Sequence, residues 1–172
     1  MSDSAAATIA AGLAKLGLIE SPTATYDCGQ AQQPQQCGQI ELYYMHGLGH
    51  GIGLEVHDPD QFYFTGTIAA GSAFTIEPGI YVRENLLEIL SKTSRNASLI
   101  AKIRPAVEKY RNIGIRIEDD YVVTPQGTEW ISRAPREAAE VEALMRETLA
   151  ETAKRDSTKV EWYRRTGGPR VP

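Results

Sequence analysis

All three histidines of the 172-residue chain, His46, His50 and His57, fall within one stretch of twelve residues. Imidazole is the commonest metal-binding side chain and titrates near neutral pH, so this cluster indicates a metal site or a general-base site. The alternative is an exposed polar loop. The spacing does not fit the His-Glu-x-x-His zinc motif of a helix. On an extended backbone, however, His46, Leu48 and His50 would share one face.

Two glutamates, Glu77 and Glu118, interrupt segments that otherwise resemble apolar strands. In FTIEPG, Glu77 faces away from Phe74 and Ile76, and in GIRIEDD, Glu118 shares a face with Arg116. Glu77 could simply face solvent, and Glu118 could simply form an ion pair with Arg116. One histidine and two glutamates together would make a ligand set suited to Mn, Zn, Co or Fe.

Helices and strands must both take part in positioning these residues. We predict a helix over 5–18, an exposed loop over 21–39, strands over 40–45, 69–82 and 112–124, a helical insertion over 84–110 and a helix over 135–154. Pro105 would break or restart the second helix, and 125–127 would form a turn. Glycine occupies every second position from 47 to 53, which disfavours a helix and suits a backbone that approaches another group closely. The expected fold is α+β with a mostly antiparallel sheet, followed by a basic tail over 155–172 that we expect to be mobile.

Composition excludes several classes of protein. The net charge of -4, without a basic run, argues against nucleic-acid binding. No apolar run is long enough to span a membrane, and the N-terminus lacks the features of a signal peptide, so we expect a cytoplasmic protein. Cys28 and Cys37 could be unpaired thiols or a local disulfide. A disulfide would indicate a periplasmic or secreted parent protein.

Three motifs, HGLGHGIGLEVHD, FTIEPGIYV and GIRIEDDYVVT, follow one another in that order. They resemble the C-terminal motifs of the pita-bread metallopeptidases, a family that includes Xaa-Pro aminopeptidase (aminopeptidase P), prolidase, methionine aminopeptidase and the non-peptidase creatinase. The similarity is greatest to the Xaa-Pro aminopeptidase and prolidase branch. The resemblance implies that residues 1–154 are the C-terminal part of the catalytic domain. They would form half of a pita-bread fold, with a curved, mostly antiparallel sheet and flanking helices.

The resemblance also implies the metal ligands. His50 would be the histidine ligand of a two-metal centre, Glu77 would be a ligand and the general acid/base, and Glu118 would bridge both ions. The expected metal is Mn, with Zn or Co as alternatives.

Further residues would surround these ligands in such a family member. His46 and His57 would bind substrate and stabilise the tetrahedral intermediate, and Arg116 would hold the ligand carboxylates. The implied activity is metal-dependent hydrolysis of the Xaa-Pro bond of a peptide with proline at its second position. A creatinase-like hydrolysis of a small amide is a further interpretation.

The chain departs from the family pattern before His50. The family's centre also needs two aspartates spaced Asp-x10-Asp, whereas only Asp3 and Asp27 precede His50 here, and no two aspartates lie 11 positions apart. We therefore expect the chain to be one half of the catalytic fold, to hold at most one ion weakly and to lack full activity alone. It would work with a complementary N-terminal half. Alternatively, it would be an inactive relative that binds partners or forms a homo-oligomer through an exposed apolar patch.

Overall fold

The computed structural model describes residues 1–30, 33–59, 66–132, 134–146 and 161. They belong to two units, 1–133 and 134–172. In the first unit, the described residues form α1 (Ser2–Lys15), a 3₁₀ helix (Gln39–Leu42), α2 (Ser94–Tyr110) and strands β1 (Thr25–Asp27), β2 (Gln36–Gly38), β3 (Ala73–Ile76), β4 (Gly79–Tyr81), β5 (Gly114–Arg116), β6 (Asp119–Thr124) and β7 (Gly127–Trp130). In the second unit they form α3 (Ala138–Arg146). All paired strands run antiparallel, as β1–β2, β3–β6–β7 and β4–β5.

Helix α1 confirms the predicted first helix but begins and ends three residues earlier than expected. Its end is set by Gly17, whose φ of 75° is in the left-handed region that favours glycine. The Leu18 amide then donates back to the Leu13 carbonyl, which satisfies one of the last carbonyls of the helix.

The predicted helix over 84–110 is wrong in two respects. Helix α2 starts later than predicted, and Pro105 does not interrupt it. Residues 84–90 form turns and bends, and the helix begins only after the Thr93 cap, whose hydroxyl accepts a hydrogen bond from the Asn96 amide. Pro105 does not break the helix, because its ring lies on the exposed side while Leu99, Ile103 and Val107 are buried. Burial of these three side chains, at about 1.5–3 kcal/mol each, offsets the roughly 3 kcal/mol that an interior proline costs.

The strand predicted over 40–45 is wrong, because a 3₁₀ helix covers its first part. The Glu41 side chain caps this helix by accepting from the Gly38 amide. Leu42 and Tyr43 are both buried, and Tyr43 donates its hydroxyl to the Leu18 carbonyl at 2.7 Å. Two consecutive buried residues do not fit the alternation of a strand.

The predicted loop over 21–39 instead contains the hairpin β1–β2. Cys28 and Cys37 form a disulfide across it, which answers the question that the sequence left open. The hairpin is tied to the start of α2 by Asn96, whose fully buried side chain exchanges hydrogen bonds with the backbone of Asp27.

Two long strands predicted over 69–82 and 112–124 form one antiparallel ribbon with an interruption in its middle. Strand β3 pairs with β6 up to Ile76 and Asp119, and β4 pairs with β5 from Gly79 and Arg116 onwards. The register is unchanged across the interruption, which falls at Pro78, a residue without an amide proton to donate. The ribbon therefore places residue 77 opposite residue 118.

The remaining predictions are partly covered by the described residues. The turn over 125–127 is confirmed as the β6–β7 hairpin. Helix α3 matches the middle of the predicted helix over 135–154, but it begins three residues later than predicted, at Ala138. Residues 147–154 lie outside the described residues. The tail over 155–172 also lies outside them, apart from residue 161. Across the described ranges, no helix is long and apolar enough to cross a membrane.

Candidate metal centre

Three neighbouring backbone segments bring together the histidine and the two glutamates. Segment 48–52 runs beside β3, with hydrogen bonds from Ile52 to Ala73 and from Thr75 to His50, both 2.9 Å long. A third bond, from the Glu77 amide to the carbonyl at 48, extends this pairing to the end of β3. His50 thus lies beside Thr75 on one side of β3, and the ribbon register brings Glu118 alongside Glu77 from the other side.

The ligand atoms of His50, Glu77 and Glu118 all lie within 4.8 Å of one another. The Nε2 atom of His50 is 3.4 Å from Oε1 of Glu77 and 4.0 Å from Oε1 of Glu118. The side chains of His50 and Glu77 are each 13% exposed, whereas Glu118 is 37% exposed. The cluster therefore lies at the rim of the ribbon, open to solvent on the Glu118 side.

Arg116 contacts the other oxygen of each carboxylate. Its Nε lies 3.8 Å from Oε2 of Glu77, and one terminal nitrogen lies 3.2 Å from Oε2 of Glu118. The ion pair proposed as the alternative explanation for Glu118 is thus present, yet it leaves both Oε1 atoms directed at His50. The guanidinium also offsets part of the repulsion between two adjacent carboxylates.

The residues present fit a divalent metal ion. The Nδ1 atom of His50 lies 3.0 Å from the Gly51 carbonyl, which can only accept, so a neutral ring carries its proton there and leaves the Nε2 lone pair free. That lone pair faces two carboxylate oxygens, and imidazole with carboxylates is a common donor set for divalent transition metals. Three protein ligands leave positions open, as in catalytic rather than structural metal sites.

The other two histidines occupy different places. His57 is exposed and packs against His50, with ring centroids 4.1 Å apart. His46 instead contacts Tyr81, whose hydroxyl lies 3.0 Å from its Nε2, and packs edge-on against Tyr44. Burial, with a smaller contribution from the charge of Glu77, raises the pKa of Tyr44, so its phenol stays protonated.

Sequence reasoning missed three residues that shape this centre. Tyr81 contacts His46, and Thr75 forms hydrogen bonds to both His50 and Glu77. Gly49 lies so close to β3 that a Cβ atom would sit 2.7 Å from the Thr75 carbonyl carbon. The sequence could have indicated Thr75, because it lies two residues before Glu77 in a strand and must therefore share its face. The signal for Gly49 was the glycine run, in which nothing marks this position above the others.

The sequence profile of metallopeptidase family M24 matches residues 4–125. The chain belongs to this family. Among its relatives, Xaa-Pro aminopeptidase 2 of Streptomyces coelicolor is 35% identical over 142 residues, which cover 80% of this chain and 25% of that protein. The chain thus spans about a quarter of the length of the curated relatives it matches.

Solved structures give the same assignment for the fold of this M24 chain. Aminopeptidase PepP of Pseudomonas aeruginosa is 33% identical, with a TM-score of 0.54 over 84% of this chain and 28% of its own. The Zn-substituted aminopeptidase P of Escherichia coli in complex with product is 28% identical, with a TM-score of 0.53 over 81% of this chain and 27% of its own. The expected α+β half of a pita-bread fold, and the resemblance to the Xaa-Pro aminopeptidase branch, are confirmed.

Proposed function

We propose that the chain supplies one half of a metal-dependent aminopeptidase site that hydrolyses the Xaa-Pro bond at a peptide N-terminus. The observation that carries the proposal is the convergence of His50 Nε2 with one oxygen each of Glu77 and Glu118. The relatives named Xaa-Pro aminopeptidase support the substrate class. In this proposal His50, Glu77 and Glu118 hold the metal, which is Mn, with Zn or Co as alternatives.

Each residue of the site has a separate task. A divalent ion bound here supplies Lewis-acid polarisation of the scissile carbonyl and a lowered pKa for water. Glu77 takes the proton of the attacking water on its carboxylate and returns it to the proline nitrogen as the bond breaks. Arg116 keeps both glutamates oriented through their Oε2 atoms. In this proposal His57 and His46 bind the substrate and stabilise the tetrahedral intermediate.

The charge of the ligand cluster limits how many metal ions this chain can bind by itself. Two carboxylates balance the charge of one divalent ion and leave a second ion without compensation. The Arg116 guanidinium, which is 50% exposed, reduces the negative charge further. We therefore propose that the chain alone binds at most one ion weakly, and that further carboxylates come from a complementary half outside this chain.

Titration with Mn²⁺ by calorimetry tests the metal ligands. We expect one weakly bound ion per wild-type chain, and a loss of affinity of at least about tenfold in Glu118→Gln, since an amide oxygen lacks the carboxylate charge. Glu129→Gln, on exposed strand β7, is the matched control and should bind as the wild type does. Absence of binding, or equal loss in both variants, would contradict the proposed ligand set.

The activity needs a second experiment. The part of the Streptomyces coelicolor relative that this chain does not match can be joined to it as a chimera. With Mn²⁺, the chimera should release the first residue of an Xaa-Pro tripeptide, while its Glu77→Gln variant should not. A chimera that folds and binds metal but cleaves no Xaa-Pro bond would refute the assigned substrate class.

An apolar groove favours self-association as a second candidate function. Its volume is about 470 Å³, and it is lined by Ile9, Leu16, Leu18, Pro78, Ile80, Val82, Tyr110, Ile113, Ile115 and Ile117. Ile115, at the centre of β5, is 61% exposed, and among the described residues β5 pairs only with β4. We expect the wild-type chain to form dimers in sedimentation analysis and the Ile115→Lys variant to remain monomeric. A wild-type chain that stays monomeric at high concentration would exclude this candidate.

The disulfide bears on the compartment. Structural disulfides persist in oxidising compartments and are rare in the cytosol. The Cys28–Cys37 bond therefore favours a periplasmic or secreted protein over a cytoplasmic one. Thiol titration of protein isolated under acid quench would decide between them.

A further inference from the structure

Thr75 is almost fully buried, at 3% exposure, between two of the proposed metal ligands. Its hydroxyl oxygen accepts a hydrogen bond from the His50 backbone amide at 3.0 Å and donates to Oε1 of Glu77 at 3.1 Å. One side chain thus links the backbone that carries the histidine to the carboxylate that faces it. It is not one of the three candidate ligands.

The link replaces one backbone hydrogen bond in the antiparallel pairing of segment 48–52 with β3. In an antiparallel pair, opposed residues exchange two backbone hydrogen bonds. His50 and Thr75 make one of them, from the Thr75 amide to the His50 carbonyl at 2.9 Å. The reciprocal His50 amide goes to the Thr75 hydroxyl instead of the carbonyl, which fixes His50 to the side chain that also holds Glu77.

The direction of these hydrogen bonds matters for a metal site. Because the hydroxyl proton is used on Glu77, the threonine oxygen is free to accept from His50. A carboxylate oxygen has two lone pairs, so Oε1 of Glu77 can accept from Thr75 and still present a lone pair towards His50 Nε2, 3.4 Å away. Hydrogen bonds that hold ligating carboxylates typically change metal affinity by about 10–100-fold.

We propose that Thr75 is the positioning residue of the metal centre and sets the distance between His50 and Glu77 before metal binds. The proposal rests on the metal-binding role proposed above. It predicts that the hydroxyl, and not the size or branching of the side chain, determines metal affinity.

The test compares Mn²⁺ affinity in the full chain with Thr75→Val, Thr75→Ala and Thr75→Ser. Valine keeps the branched shape and removes the hydroxyl, alanine removes it without placing a methyl group beside the carboxylate, and serine retains it. We expect the Kd for Mn²⁺ to rise by about 10–100-fold in the first two and to stay near the wild-type value in Thr75→Ser. Exchange of the His50 amide proton in metal-free protein should become faster in the same two variants.

Thr124→Val is the matched control. Its hydroxyl also donates one hydrogen bond and accepts one, with Gly127 and Gln126, but it lies in the β6–β7 turn. It should leave Mn²⁺ affinity unchanged.

Three results would overturn the proposal. The first is a Thr75→Val chain that binds Mn²⁺ as tightly as the wild type. The second is an equal loss of affinity in Thr124→Val. The third is failure of both Thr75→Val and Thr75→Ala to fold while Thr124→Val folds, which would assign Thr75 to fold stability alone. A wild-type chain that binds no Mn²⁺ refutes the proposed metal site itself, and so differs from all three.

Discussion

The close approach of Gly49 to β3 allows the metal centre to be perturbed without touching a ligand. In Gly49→Ala, the new Cβ would lie 2.7 Å from the Thr75 carbonyl carbon and closer still to its oxygen. Non-bonded carbons prefer about 3.5–4.0 Å, so segment 48–52 and β3 must separate by roughly 1 Å. Because the added Cβ is fixed to the backbone and meets a backbone carbonyl, no side-chain rotation can relieve the overlap.

The seam, which is the pairing of segment 48–52 with β3, contributes both to stability and to the position of His50. Three backbone hydrogen bonds of 2.7–2.9 Å join segment 48–52 to residues 73–77, and a separation of this size stretches them beyond useful length. At about 1 kcal/mol each, their loss costs about 2–3 kcal/mol of unfolding free energy. The same movement carries His50 away from Glu77. Sites need their ligands within about 0.5 Å of the productive geometry, so Mn²⁺ affinity should fall by at least tenfold.

Gly47→Ala is the control, since nothing lies within 4 Å of the Cβ that it would add. Urea unfolding and Mn²⁺ calorimetry on both variants complete the test. We expect Gly47→Ala to stay within about 0.5 kcal/mol of the wild type with unchanged affinity. If Gly49→Ala matches Gly47→Ala in both measurements, the seam does not position His50. If it loses stability but keeps its metal affinity, the coupling between the seam and the ligands is refuted.

Two further predictions concern the parts of the fold that surround the centre. Hydrogen bonds from Arg95 and then Lys102 lower the pKa of Glu20 to about 2. A carboxylate whose pKa is lowered on folding stabilises the fold at pH values above its pKa in the unfolded chain, and this stabilisation is lost as the pH falls through its pKa in the folded protein. Glu20→Gln should therefore cost about 1–2 kcal/mol of unfolding free energy at pH 7, after allowance for the exposure of both cations. Urea unfolding should show this difference vanish towards pH 2. Replacing Cys28 and Cys37 by serine should cost about 2–3 kcal/mol in the same assay, and a reductant should lower the stability of the wild type alone; equal sensitivity to reductant in both proteins would contradict the disulfide.

The parts of the fold that were predictable depend on local alternation. The apolar residues of 73–76 and 113–117 alternate with polar ones, and this pattern correctly placed Glu77 opposite to the Phe74 side and Glu118 beside Arg116. The antiparallel pairing followed from two such segments with matching patterns. The family motifs then supplied the roles that the pattern alone does not give.

The parts that failed depend on partners distant in the chain. The 3₁₀ helix at 39–42 forms where a strand was expected because fully buried Gln39 exchanges hydrogen bonds with Glu20, 19 residues away. Likewise, α2 continues through Pro105 because its buried face packs on other elements. The Gln39–Glu20 contact leaves no periodic trace in the local sequence. The helical spacing of Leu99, Ile103 and Val107 is visible there, but it does not show that their packing outweighs the cost of Pro105. In both places tertiary packing overruled local propensity.

The histidine cluster shows the same limit within the site itself. His46 and His50 would share a face on a continuous strand, but the backbone bends at 46 and 48, and the pairing with β3 spans only 48–52. His46 therefore lies with Tyr81, while His50 faces the glutamates. His50 and His46 differ in position because the backbone pairs with β3 at His50 but not at His46. That depends on the absent side chain of Gly49 and on the hydroxyl of Thr75, neither of which belongs to the candidate ligand set. A search for chemically reactive side chains finds the ligands of such a centre, whereas the roles of the residues that set their distances follow from the pairing of segment 48–52 with β3.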